Sequence, residues 1–434
     1  MKTLKKLSLI TFLLIQTTGF SNEASPKLDT GNTAWMLIST ALVFFMIPGL
    51  AFFYGGMARR SSVLHTMMKS FVAIGVGGLV WILAGYSLVF GPSQSSVVGS
   101  LKYFGLNNIN ADMMESTGIP TYSFVLFQGM FAVIAVALIS GAIIERTKFI
   151  SYLVFIVFWL LLVYAPTAHW TWSSEGWLYK LGVLDLAGGT VIHISAGVSA
   201  VIAALIIGPR ENKNGGPHNI PYVLLGTGIL WFGWFGFNGG SVLAANGTTA
   251  LALVTTFTAS CAGFVTWLFL DIIRGKKPSA VGAAIGAVVG LVAITPAASF
   301  VTPVYSVLFG ILGVVASYFV LLSKEKFPFD DVLDVFACHG IGGITGALLT
   351  GFFAFSTGSG KIFFSQVSIQ LLGVLSIAVY AAIMSSLILF TIKALFGLRI
   401  KSPEKENLDL SIDEIIHGEL GYGEFTKIKS AETN

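Results

Sequence analysis

The chain has 434 residues, of which 55% are hydrophobic and only 11% charged. Soluble domains carry about 25% charged residues, so a soluble globular domain is excluded. The net charge of +4 says little about partners until it is placed along the chain, and it gives no reason to expect nucleic acid.

Residues 1–21 read as a secretory signal. Lys2, Lys5 and Lys6 precede an apolar run from Leu7, and Gly19 and Ser21 supply small residues before a cleavage point. Eleven apolar stretches follow, each near the roughly 20 residues that cross a bilayer. They fall at about 34–57, 64–90, 121–143, 149–168, 188–208, 219–243, 248–273, 279–295, 303–322, 332–353 and 366–395. The expected fold class is an all-α polytopic membrane protein, with a transmembrane domain over 34–395 and a polar tail over 396–434. An odd number of spans puts the two ends on opposite sides.

The connections decide the orientation, because Lys and Arg accumulate on the cytoplasmic side. One side holds Arg59, Arg60, Arg146, Lys148, Arg210, Lys213, Arg274, Lys276, Lys277, Lys324 and Lys326. The other holds Lys102, Lys180 and Lys361. The N-terminus is therefore expected outside and the C-terminus inside, in agreement with the signal segment.

Gly49-Leu-Ala-Phe-Phe53-Tyr-Gly-Gly56 in the first span resembles Gly233-Trp-Phe-Gly-Phe237-Asn-Gly-Gly240 in the sixth. The fifth span opens with Asp185 and carries His193; the tenth has Asp334 near its start and carries His339. Both matches are five spans apart, so the direction of the chain is reversed between partners. This predicts a five-plus-five inverted repeat followed by an eleventh helix, a plan that puts a pathway at the repeat interface near the midplane. Gly282, Gly286 and Gly290, each four residues from the next, put small residues on one face of the eighth span for close helix packing.

Ionisable groups inside the spans are few. Lys69, Lys393 and Asp271 sit toward the basic ends, where the lysines are expected to snorkel. Of six histidines, His65, His169, His218 and His417 fall in connections, at segment ends or in the tail. His193 and His339 alone are embedded in apolar spans, which makes them functional-site candidates. A pathway with two histidines and no buried carboxylate ring suits a small neutral species, or an ion that can shed its charge. Cys261 and Cys338 also lie in apolar spans and support neither a disulfide framework nor a metal site.

At the non-basic side Phe127, Gln128 and Phe131 occupy the third span, Trp170 and Trp172 follow the fourth, and Trp234, Phe237 and Ser241 lie near the end of the sixth. Two readings are open: an aromatic belt at the lipid headgroups, or a cation-binding vestibule built from aromatic faces and a serine hydroxyl. Asp185 and Asp334 likewise read either as helix N-caps or as groups that orient a pore histidine.

From Ala34 to Lys401 the chain resembles the ammonium transporter family (Amt/MEP, related to Rh proteins). The residues carrying the resemblance are Phe53-Tyr-Gly-Gly, Phe127-Gln-Gly-Met-Phe131, Glu145-Arg146, Ala168-His169-Trp-Thr-Trp172, Asp185-x-Ala-Gly-Gly-Thr-Val-x-His193, Pro217-His-Asn, Gly233-Trp-Phe-Gly-Phe-Asn238, Arg274-Gly-Lys-Lys-Pro-Ser279 and Asp334-Val-Phe-x-x-His339-Gly. The resemblance implies a homotrimer in the cell (inner or plasma) membrane, with one pore per subunit. It implies an outer ammonium site at Phe131, Trp172 and Ser241, and a stacked gate of Phe131 and Phe237. His193 and His339 become twin pore histidines, with Asp185, Trp234, Phe53 and Phe127 in support. The implied function is to recruit ammonium at the vestibule, deprotonate it and conduct ammonia, with or without a relayed proton. No cofactor, metal or enzyme activity is expected. An ammonium sensor and a bis-histidine haem protein are the alternatives from other classes. A sensor normally has an output domain; the tail has no room for a catalytic one, though it could recruit a partner, and haem cytochromes of this size usually carry more intramembrane histidines.

The chain departs from the family at Leu186, where an aromatic is usual, and at Ser173-Ser-Glu175, where a glycine-rich turn is usual. In the tail, Leu408-Asp-Leu-Ser and His417-Gly-Glu419 resemble the family segment that helps a PII signalling protein dock. Ile412-Asp-Glu-Ile-Ile lies between these two elements, so altered PII binding is expected.

Overall fold

The computed structural model describes residues 26–211, 213, 215–354, 363–400 and 411–422. The signal segment 1–21, Lys361 and the tail element Leu408-Asp lie outside the described residues. Within them the regular elements are helices, with only two isolated bridges. This is what hydrocarbon demands, since a helix satisfies its backbone N–H and C=O groups internally.

Ten helices among the described residues are long and apolar enough to cross a membrane. They are α1 (Thr30–Met57), α2 (Arg60–Phe90), α3 (Thr121–Ala142), α4 (Phe149–Leu181), α5 (Gly189–Ile207), α6 (Ile220–Gly240), α7 (Gly247–Ile273), α9 (Pro303–Leu322), α10 (Phe336–Phe353) and α11 (Ser365–Phe396). Between α7 and α9 lies α8 (Ala280–Ile294), a shorter apolar helix of 15 residues. At 1.5 Å per residue it covers about 22 Å, less than the roughly 30 Å of a hydrocarbon core. It is buried continuously from Gly282 to Ile294, enclosed by its neighbours and not by lipid. A last short helix, α12 (Ile412–His417), lies in the tail.

Two close crossings organise the bundle. α1 packs along α6, where a Cβ on Gly226 would stand 2.3 Å from the Phe53 nitrogen. α5 crosses the start of α10 at Gly197, where a Cβ would stand 2.4 Å from the Gly340 nitrogen. Glycine is required at both places because backbone meets backbone. The glycine face of α8 is used as expected: Gly286 and Gly290 abut Gly263 and Ala259 of α7.

Lys69 does not snorkel. It is fully buried on α2 and donates from Nζ to the Ile143 carbonyl at 3.2 Å. Its helix starts at the basic end and runs inward, so the side chain meets the α3–α4 connection before it can reach water. That connection is itself pinned by ion pairs from Glu145, to Arg59 at 2.8 Å and to Arg210 at 3.4 Å. The first tail residues close over it, with Lys148 donating to the Leu398 carbonyl and Ile400 to that of Arg146. Arg399 donates to the carbonyls of Ile207 and Pro209, where α5 ends.

Candidate substrate pathway

Phe131 of α3 and Phe237 of α6 stack face to face, with centroids 4.3 Å apart and planes at 5°. Both side chains are buried, which decides against the lipid belt for these two. Phe127 backs Phe131 at 4.8 Å. Trp172, in the last third of α4, meets Phe131 edge-on at 6.1 Å and is fixed by donating from Nε1 to the Asp185 carbonyl at 2.8 Å. Trp170, two residues earlier, turns away and donates to the Val97 carbonyl. Ser241 follows Phe237 by one turn and its hydroxyl donates to the Phe237 carbonyl at 2.8 Å. That hydroxyl has spent its hydrogen and keeps lone pairs able to accept from a guest N–H.

Beyond the phenylalanine pair lie the two histidines. His193 Nδ1 and His339 Nδ1 are 3.2 Å apart, with rings 5.2 Å centre to centre and inclined by only 15°. Trp234 continues the stack on His193 at 5.5 Å and 16°. Each histidine sits in a wide π-type turn, Gly189–Ile194 and Phe336–Ile341, a device frequent at functional sites. The Gly197–Gly340 contact behind them brings the two backbones near enough for the rings to bond. Met46, Leu50, Phe53, Ile134, Leu138, Leu230 and Val288 complete the lining of a narrow cavity of about 10 Å³ beside the pair.

The hydrogen bonding fixes the chemistry. Two imidazoles joined Nδ1 to Nδ1 share one proton, so one ring donates and the other accepts. When both are neutral, the donor ring has a bare Nε2 and the acceptor ring an Nε2–H. The pair therefore offers one acceptor and one donor to the cavity; they exchange when a proton is taken up at the bare Nε2, the shared proton crosses, and the other ring gives up its Nε2 proton. His193 Nε2 is buried and has no protein partner among the described residues.

The two acids behave differently. Asp185 accepts from the backbone N–H groups of Gly188, Gly189, Thr190 and Val191 and from the Thr190 hydroxyl. Burial pushes its pKa up, while these bonds pull the other way. Its carboxylate is committed to capping α5 and its carbonyl to Trp172, so it links vestibule and histidine helix by position. In the other half the equivalent acid is not Asp334, which instead pairs with Lys324. Asp331 accepts from the Val335 and Phe336 N–H groups at 3.1 and 2.7 Å and caps α10. It precedes His339 by eight residues, as Asp185 precedes His193, a spacing legible in the sequence that the nearer Asp334 obscured.

Thr295 has no such signal. Its hydroxyl donates to the Leu291 carbonyl and accepts from Trp234 Nε1 at 2.9 Å, so a residue just beyond α8 holds the indole that packs on His193. Among the described residues no group of three or more His, Cys, Asp or Glu is placed to hold a metal ion.

Comparison with known proteins agrees with this architecture. A model of the Ammonium Transporter Family matches residues 34–422. The chain is 44% identical over 430 residues to an ammonium transporter of Aquifex aeolicus, covering 96% of this chain and 100% of that protein. It is 42% identical to an ammonium transporter of Bacillus subtilis, covering 91% and 99%. Among solved structures it is similar to Mep2 of Candida albicans, with a TM-score of 0.81, 35% identity and coverage of 87% and 88%. It is also similar to a sensor Amt protein, with a TM-score of 0.81, 31% identity and coverage of 87% and 96%.

Proposed function

The chain belongs to the ammonium transporter family, and from that premise we propose how its residues perform ammonium transport. It is an integral membrane protein with a hydrophobic pore that contains the His193–His339 pair. The observation that carries the reading is the line from Trp172 through the Phe131–Phe237 stack to that pair.

An ammonium ion binds outside the stack, against the faces of Phe131 and Trp172, and donates to Ser241. Desolvated cation–π contacts of this kind contribute about 2 kcal/mol. Charged, it cannot go on cheaply, because an unpaired ion in an apolar passage costs many kcal/mol. Leaving its proton at the histidine pair removes that penalty, and ammonia then crosses the Leu- and Val-lined segment. The pair receives the proton on its bare Nε2, the shared Nδ1 proton passes to the other ring, and that ring releases its Nε2 proton, which restores a neutral pair with the roles exchanged. Potassium has no proton to leave and is rejected. Phe53, Phe127 and Trp234 shape the passage, and Asp185 positions it.

The capped, π-turned histidine segments eight residues after Asp185 and Asp331 support the five-plus-five inverted repeat. With α8 counted as a span, the bundle has eleven, the N-terminus outside and the C-terminus in the cytoplasm. This arrangement fits a signal peptide over residues 1–21, a homotrimer with one pore per subunit, and a tail within reach of a PII protein.

The test is uptake by an ammonium-transport-deficient strain at low ammonium and low pH. His193→Ala or His339→Ala should abolish selective uptake while the protein still inserts. Wild-type flux with potassium exclusion in the double variant would refute the twin-histidine mechanism.

A further inference from the structure

The last helix long enough to span, α11, carries two buried glutamines in its first two turns, Gln366 and Gln370. A carboxamide in an apolar interior is costly unless its groups are bonded. All four places on the Gln370 amide are filled. Oε1 accepts from the Leu184 N–H at 2.8 Å and from Gln366 Nε2 at 3.3 Å. Nε2 donates to the Leu184 carbonyl at 2.8 Å and to the Ala347 carbonyl of α10 at 3.2 Å. Gln366 adds a bond to the Gly182 carbonyl at 3.0 Å. The Gln370 side chain thus treats Leu184 as one strand treats its neighbour, taking both its N–H and its C=O.

Leu184 is the residue before Asp185, and the peptide units here are held one after another. Gln370 fixes the unit that carries the Leu184 N–H and the unit that carries the Leu184 carbonyl. The next unit holds the Asp185 carbonyl, which accepts from Trp172 Nε1, and the Leu186 N–H, which donates to the Pro296 carbonyl at 3.2 Å. The other half of the chain does the same by other means. The residue before Asp331 is Asp330, and its carbonyl accepts from the buried Arg146 at 2.7 Å. In both halves, the residue before the acid that caps a histidine helix is clamped by a buried side chain from elsewhere in the bundle.

We propose that Gln370 is a positioning residue for ammonium recruitment: it sets the backbone at Leu184 and, one peptide unit on, the carbonyl that aims the Trp172 indole. The inference rests on the vestibule reading given above. Neither glutamine lines the cavity at the histidines. Leucine at position 370 would fill the space and remove all four bonds, leaving two peptide units free to turn and the Asp185 carbonyl free to swing with them. The Asp185 carboxylate keeps its own donors at the start of α5, so the His193 segment stays capped. The loss therefore falls on recruitment and not on passage.

The experiment is a concentration series of uptake in the transport-deficient strain, normalised to inserted protein, for wild type, Gln370→Leu, Trp172→Leu and the double variant. Gln370→Leu should raise the half-saturating concentration about three- to tenfold, the effect of one hydrogen bond, with maximal flux near wild type. Because it acts through Trp172, it should add nothing once Trp172 is leucine, so the double variant should match Trp172→Leu. A merely structural role would instead lower maximal flux and add its full effect in the double variant. Should Gln370→Leu not insert, Gln370→Asn, whose amide ends one methylene short of Leu184, carries the same test; failure of both to insert would make Gln370 a folding residue and overturn the inference. An unchanged half-saturating concentration in Trp172→Leu would overturn the vestibule reading and this inference together. A rise there with none in Gln370→Leu, or a full additional rise in the double variant, would overturn the inference alone.

Discussion

The helix crossing behind the histidines can be perturbed without touching a pathway residue. In Gly197→Ala the new Cβ would stand 2.4 Å from the Gly340 nitrogen and 2.5 Å from its Cα, where ordinary contact begins at 3.4 Å. Both neighbours are backbone, so no rotamer relieves the clash and α5 must part from α10 by about 1 Å, the difference between 3.4 and 2.4 Å. The His193–His339 bond is 3.2 Å long, and a further 1 Å takes it past any useful hydrogen bond. Overpacking costs about 1–3 kcal/mol, and two buried ring nitrogens left unpaired cost a similar amount. Thermal unfolding in detergent should report a loss on the order of 2–5 kcal/mol, and uptake at low ammonium should fall to the level of the histidine variants. Gly228→Ala is the control: no atom lies within 4 Å of its would-be Cβ, and alanine favours a helix. Full uptake and unchanged melting in Gly197→Ala would refute the claim that this contact sets the histidine bond.

Three further outcomes are expected. Trp172→Leu and Ser241→Ala should each weaken recruitment by on the order of 1 kcal/mol, raising the half-saturating concentration more than they lower maximal flux in a concentration series. Thr295→Val strands the buried Trp234 indole N–H, at about 1–3 kcal/mol; melting should fall and Trp234 fluorescence shift, whereas an unchanged spectrum would show that the indole is held by packing alone. Burial pushes Asp330 up, but Arg210 outweighs it and holds the carboxyl at about 2, below its unfolded value near 3.9. Its contribution is therefore present above about pH 4 and lost as pH falls through 2. Acid titration of Asp330→Asn should accordingly show lower stability at pH 7 and a shallower decline between pH 4 and 2.

What the sequence by itself determined is what depends on one residue at a time. Transfer into hydrocarbon is nearly additive along a helix, so the apolar stretches marked the helices and made His193 and His339 stand out as costly. Residue order also carried the family signature, and with it the aromatic pair and the vestibule tryptophan. The tertiary structure decided what depends on distance between helices. Lys69 was read as reaching water because its position lay near a helix end, yet the α3–α4 connection closes over it. Asp334 was read as the partner of Asp185 because it lies nearest His339, yet only Asp331 meets the free N–H groups that start α10. Thr295 left no local pattern, nor did the partner that Gln370 finds at Leu184, since each bond joins residues far apart in the chain. Above all, that the two pore histidines touch is settled where Gly197 meets Gly340: a hydrogen bond tolerates a few tenths of an ångström, and hydropathy carries no information at that scale.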